Sequence, residues 1–152
     1  MSLRINIEKL DYIGNQKLTS TLKAYLKSAT KSLDVCVYYF THDDLASLLI
    51  ESHKKNIQVR VITDAQFATI GVIPRLKEEG IEVRSVYAVS GKMNNKFAIV
   101  DKTLLITGSG SWTYQALMNN EENIVVTNNP GFFKDYGYDK YFEQLWAKPV
   151  WK

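Results

Sequence analysis

The stretch KMNNKFAIVDKTLLITGSGSWTYQALMNNEEN, residues 92–123, decides how the chain folds. Phe97 to Val100 and Leu104 to Thr107 are apolar runs of strand length. Only Asp101-Lys102-Thr103 separates them, so they are expected to pair as an antiparallel hairpin. Lys96 falls at the start of the first strand, and Gly108-Ser109-Gly110-Ser111 follows the second, ahead of a short helix through Ala116 and Met118. Small residues at a strand-to-helix junction leave backbone N–H groups exposed at a helix N-terminus, a sound site for an anion, to which the Lys96 ammonium could add a full positive charge. Alone, such a turn is a weak signal.

Upstream, the pattern changes to alternating strands and helices. Leu18, Leu22, Tyr25, Leu26 and Ala29 recur at helical spacing within residues 16–31, with lysines between them. Residues 33–40, from Leu33 to Phe40, are β-branched, aromatic and nearly apolar, which suits a strand covered on both faces. Thr41 to Asp44 carry N-cap chemistry for a helix running to about Lys55, which Asn56 closes. Ile57 to Ile62 alternates as a strand ending at Asp64, a short helix spans about Pro74 to Glu79 with Gly80 as its C′ glycine, and Ile81 to Val86 is a further strand. This order predicts parallel strands joined by right-handed crossovers. Downstream, Ile124 to Thr127 reads as a strand and Phe132 to Trp146 as an amphipathic helix. The fold class is therefore α/β: one domain over residues 1–152, a mixed sheet with helices on both faces.

Composition excludes more than it identifies. The length of 152 residues fits one core, and 45% hydrophobic with 23% charged residues is ordinary for a globular protein. Net charge is +3, which permits a polyanionic partner without arguing for one. Cys36, the single cysteine, lies in an apolar run, so it is expected to be buried and no internal disulfide can form. No stretch approaches the roughly 20 apolar residues of a membrane span, and Met1-Ser2-Leu3-Arg4 does not read as a secretory signal. The chain reads as soluble, with its compartment left open. The carboxylates and the two histidines are not at ligand spacing, so no metal site is expected. His53, near a helix end, reads as a surface residue, while His42 falls where the sheet's C-terminal rim would lie. Trp112 is expected in the core; Tyr114 could stack a base.

The spacing of Lys96, Asp101, Gly108 and Ser109 resembles the signature of the phospholipase D superfamily: His, any residue, Lys, four residues, Asp, six residues, Gly-Ser, any residue, Asn. Trp112-Thr113, Ala116 and Glu122-Asn123 match the continuation in its small single-motif members, which include bacterial endonucleases and the mitochondrial cardiolipin hydrolase group. The likeness extends over nearly the whole chain. Two positions depart from it: Asn94 stands at the histidine position and Ser111 at the asparagine position.

The resemblance implies a phosphodiesterase that works without a metal or other cofactor through a phosphohistidine. It implies that Lys96 binds nonbridging phosphate oxygens and neutralises transition-state charge. Ser109 and Ser111 would donate hydrogen bonds to the same oxygens, and Glu122 would orient the residue at position 94. Gly108 and Asp101 would be supporting residues, Asp101 fixing the hairpin turn or pairing with a nearby cation, with a solvated turn aspartate as the plain alternative. A histidine suits attack and proton transfer because its pKa lies near neutrality. An asparagine amide can do neither, so the site is expected to form without turning over, a loss on the order of 10⁴-fold or more. Since the reaction needs two imidazoles and the chain has one motif, a C2 homodimer sharing one cleft is implied. The leading expectation is a nuclease-like enzyme acting on single-stranded or non-specific nucleic acid, disabled at Asn94. The alternatives are a phospholipid (cardiolipin-type) hydrolase and a natural pseudoenzyme that binds phosphodiesters without cleaving them.

Overall fold

A computed structural model describes residues 16–148. The expectation about Met1 to Arg4 lies outside the described residues. The elements are α1 (Gln16–Lys27), β1 (Ser32–Val37), α2 (Asp43–Lys54), β2 (Gln58–Asp64), α3 (Ile73–Glu78), β3 (Glu82–Val86), β4 (Lys96–Val100), β5 (Leu104–Gly108), β6 (Ile124–Thr127) and α4 (Tyr138–Trp146). They build one six-stranded sheet in the order β3-β2-β1-β4-β5-β6. β1, β2 and β3 are parallel, whereas β4 runs antiparallel to β1, and the β4-β5 and β5-β6 pairs are antiparallel. The mixed sheet expected from the sequence is the one observed.

The strand period of two decides which side chains meet which layer. On one face Leu33, Val35 and Val37 of β1 join Val59, Val61, Ala98 and Val100 under Leu18, Leu22 and Leu26 of α1, Leu45 and Leu49 of α2, and Leu76 of α3. On the other, Cys36, Ile62, Phe97, Ile99 and Leu105 pack against Phe142 and Leu145 of α4. Helices thus cover both faces, and β1 is buried throughout. Burial pushes the Cys36 thiol well above its ordinary pKa, leaving it an inert apolar filler. Among the described residues no helix is long and apolar enough to cross a membrane.

Several boundaries differ from expectation for local reasons. β1 ends at Val37, not Phe40, because the chain leaves the ladder there: Tyr38 N–H donates to Asn95 O at 2.8 Å and Tyr39 O accepts from Trp112 N–H at 3.1 Å. The cap of α2 does fall within the expected Thr41 to Asp44, at His42, whose Nδ1 accepts from Leu45 N–H at 3.4 Å. α1 stops at Lys27, where Ser28 Oγ turns back onto Tyr25 O at 2.6 Å. α4 begins at Tyr138 because Pro130–Phe132 form a separate tight turn, capped by the Asn129 side chain on Gly131 N–H at 2.9 Å. Asn56 and Gly80 do close their helices, with φ of 64° and 88° in the left-handed region.

Two charged clusters tie these layers together. Asp34, on the α4 face of β1, accepts from Arg60 Nε at 2.8 Å and pairs with Lys102. Arg60 also donates to both carboxylate oxygens of Glu143 in α4, at 2.6 and 3.2 Å, and its guanidinium lies 4.9 Å from the Phe142 ring centroid and 5.1 Å from that of Trp146. With the Asp34 side chain 2% exposed and that of Arg60 11%, losing Asp34 would leave a buried guanidinium short of a partner. At the far end of β4, Asp101 adopts φ of 52° and its carboxylate accepts from the backbone N–H groups of Thr30, Lys31 and Ser32 at 3.1, 2.7 and 3.0 Å. Asp101 therefore clamps the α1–β1 connection and makes no ion pair among the described residues. Burial alone would raise its pKa, but these donors hold it below the usual carboxylate range.

Asp34→Ala is expected to destabilise the protein by about 3–5 kcal/mol, measured as a shift in the urea midpoint. Replacing Asp34 and Arg60 together by Leu and Met should recover most of that loss. Asp101→Asn should cost about 1–3 kcal/mol at pH 7. Because the folded pKa of Asp101 is depressed, its contribution is present above the unfolded pKa and disappears as pH falls through the folded one. The gap between wild type and Asp101→Asn should therefore narrow in urea titrations taken progressively below pH 4.

Candidate active site

The site forms where two strands of opposite direction meet. Because β4 is antiparallel to β1, Lys96 at its start lies opposite Val37 at the end of β1. The residues before it are anchored on both sides of Asn94. Met93 is buried and its N–H donates to Asp64 Oδ2 at 2.7 Å, while the Asn95 side chain donates to Tyr141 Oη at 2.9 Å. Asn94 is left exposed between them, in a fixed position.

On the neighbouring strand, Gly108 must approach β6 closely. A Cβ there would lie 2.1 Å from Asn123 O, so any side chain would push β5 and β6 apart. Ser109 then bonds the residue before β6 twice: its N–H donates to Asn123 O and its Oγ accepts from Asn123 N–H, both at 3.1 Å. Its hydroxyl donates to Glu122, whose other oxygen accepts from Asn120 Nδ2 at 3.3 Å.

Asn94, Lys96, Ser109, Ser111 and Glu122 line a common cleft of about 530 Å³, walled by Tyr38, Tyr39 and Tyr114. Lys96 Nζ donates to Asn94 Oδ1 at 2.7 Å. Burial lowers the Lys96 pKa, and the nearby Glu122 charge works in the opposite direction. The ammonium is therefore drawn toward a partly desolvated spot between a neutral amide and a carboxylate. Such a set can hold an anion through one cation and several neutral donors. It contains no group at position 94 that exchanges a proton near neutrality.

Of the seven residues picked out from the sequence, the structure gathers five in the cleft, keeps Gly108 next to Ser109 and separates Asp101. Asp101 follows the opposite end of β4, roughly 16 Å away along the strand. The turn does not open directly onto a helix N-terminus: the helical turn Gln115–Asn119 starts well past Ser111, and the N–H groups of Ser109 and Trp112 are taken by Asn123 O and Tyr39 O.

His42 does not line the cleft; it is buried behind the wall, its ring stacked 3.9 Å from that of Tyr114. His53 is half-buried on α2. Trp112 is buried edge-on to Phe40, as expected, and Tyr114 stands at the cleft with 46% exposure. Among the described residues no three His, Cys, Asp or Glu side chains gather as a metal site. Sequence reading missed Tyr38 and Tyr39, which it placed inside a strand. Their appearance in an otherwise aliphatic run, just before a capping sequence, was the available signal.

Comparison with known proteins places this geometry in a family. Residues 22–146 match the family described as cardiolipin synthase, PLD-like domain. The mitochondrial cardiolipin hydrolase of Xenopus laevis is 41% identical over 131 residues, covering 85% of this chain and 61% of that protein. The human protein of the same name is 37% identical over 137 residues, covering 89% and 53%. The chain thus spans somewhat more than half the length of these relatives. Among solved structures, Nuc from Salmonella typhimurium superposes with a TM-score of 0.80 at 21% identity, covering 93% of this chain and 98% of that one. NucT from Helicobacter pylori does so with 0.78 at 23%, covering 92% and 96%. These structural likenesses are of fold. The match over residues 22–146 settles the family: this chain belongs to the phospholipase D superfamily.

Proposed function

We propose that the cleft binds a phosphodiester on Lys96, Ser109 and Ser111, and that Asn94 occupies the nucleophile's place and prevents turnover. The observation that supports this most directly is the Lys96 Nζ–Asn94 Oδ1 hydrogen bond of 2.7 Å inside a cleft that Ser109, Ser111 and Glu122 also line. An imidazole at position 94 would lie beside the cation that holds the phosphate. Its nitrogen would attack phosphorus, the P–O bond to the leaving oxygen would break, and that oxygen would take a proton from a second imidazole. Glu122 would orient the attacking ring, and Lys96 would stabilise charge on the nonbridging oxygens. The second imidazole has to come from another copy, so the functional unit of this reading is a C2 homodimer with a shared cleft. This reaction requires no metal or other cofactor.

For the substrate, the first reading is single-stranded or non-specific nucleic acid. The half-exposed Tyr39 and Tyr114 on the cleft walls are suited to stack bases. The second reading, a cardiolipin-type phospholipid, is favoured by the name shared by relatives 37–41% identical to this chain. A natural phosphodiester-binding pseudoenzyme is the third.

Asn94→His is expected to raise cleavage of single-stranded DNA in EDTA by on the order of 10⁴-fold over the chain with Asn94, followed by gel assay. Turnover of cardiolipin vesicles by this variant, with DNA untouched, would instead establish the lipid reading. A variant that binds DNA but stays inert would make the protein a binding module. Light scattering should return a mass twice that of the 17.4 kDa chain; a monomer would refute the shared cleft.

A further inference from the structure

Beside the cleft lies a second groove of about 350 Å³, lined by Asp64, Gln66, Tyr87 and Lys92. Tyr38 joins the two. Its ring centroid is 5.7 Å from Lys96 Nζ, on the cleft side, and 5.4 Å from Nζ of Lys92, which lines the groove. Two ammonium groups are thus held near one aromatic ring, close enough for a single short linker to span them. The attraction of each to the ring's π face reduces the freedom that ligand binding would otherwise have to remove.

We infer that Lys92 forms a second phosphate subsite, so that the cleft takes a single-stranded polynucleotide by two successive phosphates, one on Lys96 and the next on Lys92. This rests on the phosphodiester reading of the Lys96 cleft and extends it. The carboxylate of Asp64 on the groove lining does not forbid an anion. Its two oxygens accept from Gln66 N–H at 2.9 Å and Met93 N–H at 2.7 Å, and the residue is 5% exposed. The groove carries the cleft past Tyr38 as a track. A ligand with two linked phosphates needs somewhere to continue beyond the one held at Lys96. Cardiolipin also has two, but a groove lined by Asp64, Gln66, Gly91 and Lys92 suits a polar backbone better than acyl chains. Apart from its place beside Tyr38, Lys92 is exposed on the connection before β4, so its side chain can be removed without disturbing the core.

The test uses the full chain and two soluble probes: TpT, with one phosphodiester, and TpTpT, with two. TpTpT should bind about fivefold more tightly than TpT, the scale of one exposed charge contact. Lys92→Ala should abolish that difference while leaving TpT binding unchanged. The same variant should lower the salt slope of decathymidylate binding by about 0.7, the value of one phosphate on a single strand. The inference is overturned if Lys92→Ala leaves the TpTpT to TpT ratio intact, or weakens both probes equally. It is also overturned if Lys92 matters for cardiolipin micelles and not for TpTpT. Lys96→Ala reports separately on the underlying reading: it should weaken both probes, and unchanged TpT binding would remove the phosphodiester site itself.

Discussion

The antiparallel pairing of β1 with β4 is the constraint on which the rest of the structure depends. Had β4 continued the parallel pattern of β1, β2 and β3, Lys96 would begin at the opposite edge of the sheet from Tyr38. Reversal places the start of one strand beside the end of the other, and the pairing is secured at both ends. Tyr38 N–H on Asn95 O fixes the end with the cleft, and the Asp101 carboxylate on three backbone donors fixes the other. The motif's lysine and aspartate thus stand at opposite ends of one strand, Lys96 opening β4 and Asp101 following it.

The second face of the sheet is organised by charge. Arg60 reaches Asp34 in the adjacent strand and Glu143 in α4, and it lies over Phe142 and Trp146 in the same helix. Arg84 adds to this, its guanidinium 4.4 Å from the Trp146 ring centroid and donating to Trp146 O at 2.6 Å. α4 is consequently held by directional contacts along its length as well as by Phe142 and Leu145. Directional contacts of this kind fix the register of a helix that apolar burial alone would leave free to slide.

Much of the fold was legible because it is local. Alternation in Ile57 to Ile62, the three-residue turn at Asp101, and Gly80 after α3 all report on their immediate neighbours. The motif spacing exposed Asn94, Lys96, Ser109, Ser111 and Glu122 because four of them lie in or beside one hairpin and the fifth just before the next strand, β6. What could not be read depends on residues distant in sequence. Arg60 and Glu143 are 83 positions apart, and nothing in an alternating strand announces their bond. The Gly-Ser-Gly-Ser turn does not lead straight into a helix, and its Ser109 N–H is spent on Asn123 O, a partner 14 positions away that the turn itself does not announce. His42 was legible as a rim residue, but its ring is occupied by capping α2 and stacking on Tyr114.

The polar groups of the cleft satisfy one another: Lys96 rests on Asn94, and the Ser109 hydroxyl rests on Glu122. Any incoming phosphate must therefore compete with internal acceptors, and the free energy it gains is the difference between two sets of bonds. Glu122 adds a standing repulsion toward an anion that approaches too near. A cleft built this way would discriminate by exchange, admitting ligands whose acceptors hold Lys96 and the Ser109 hydroxyl more strongly than Asn94 and Glu122 do.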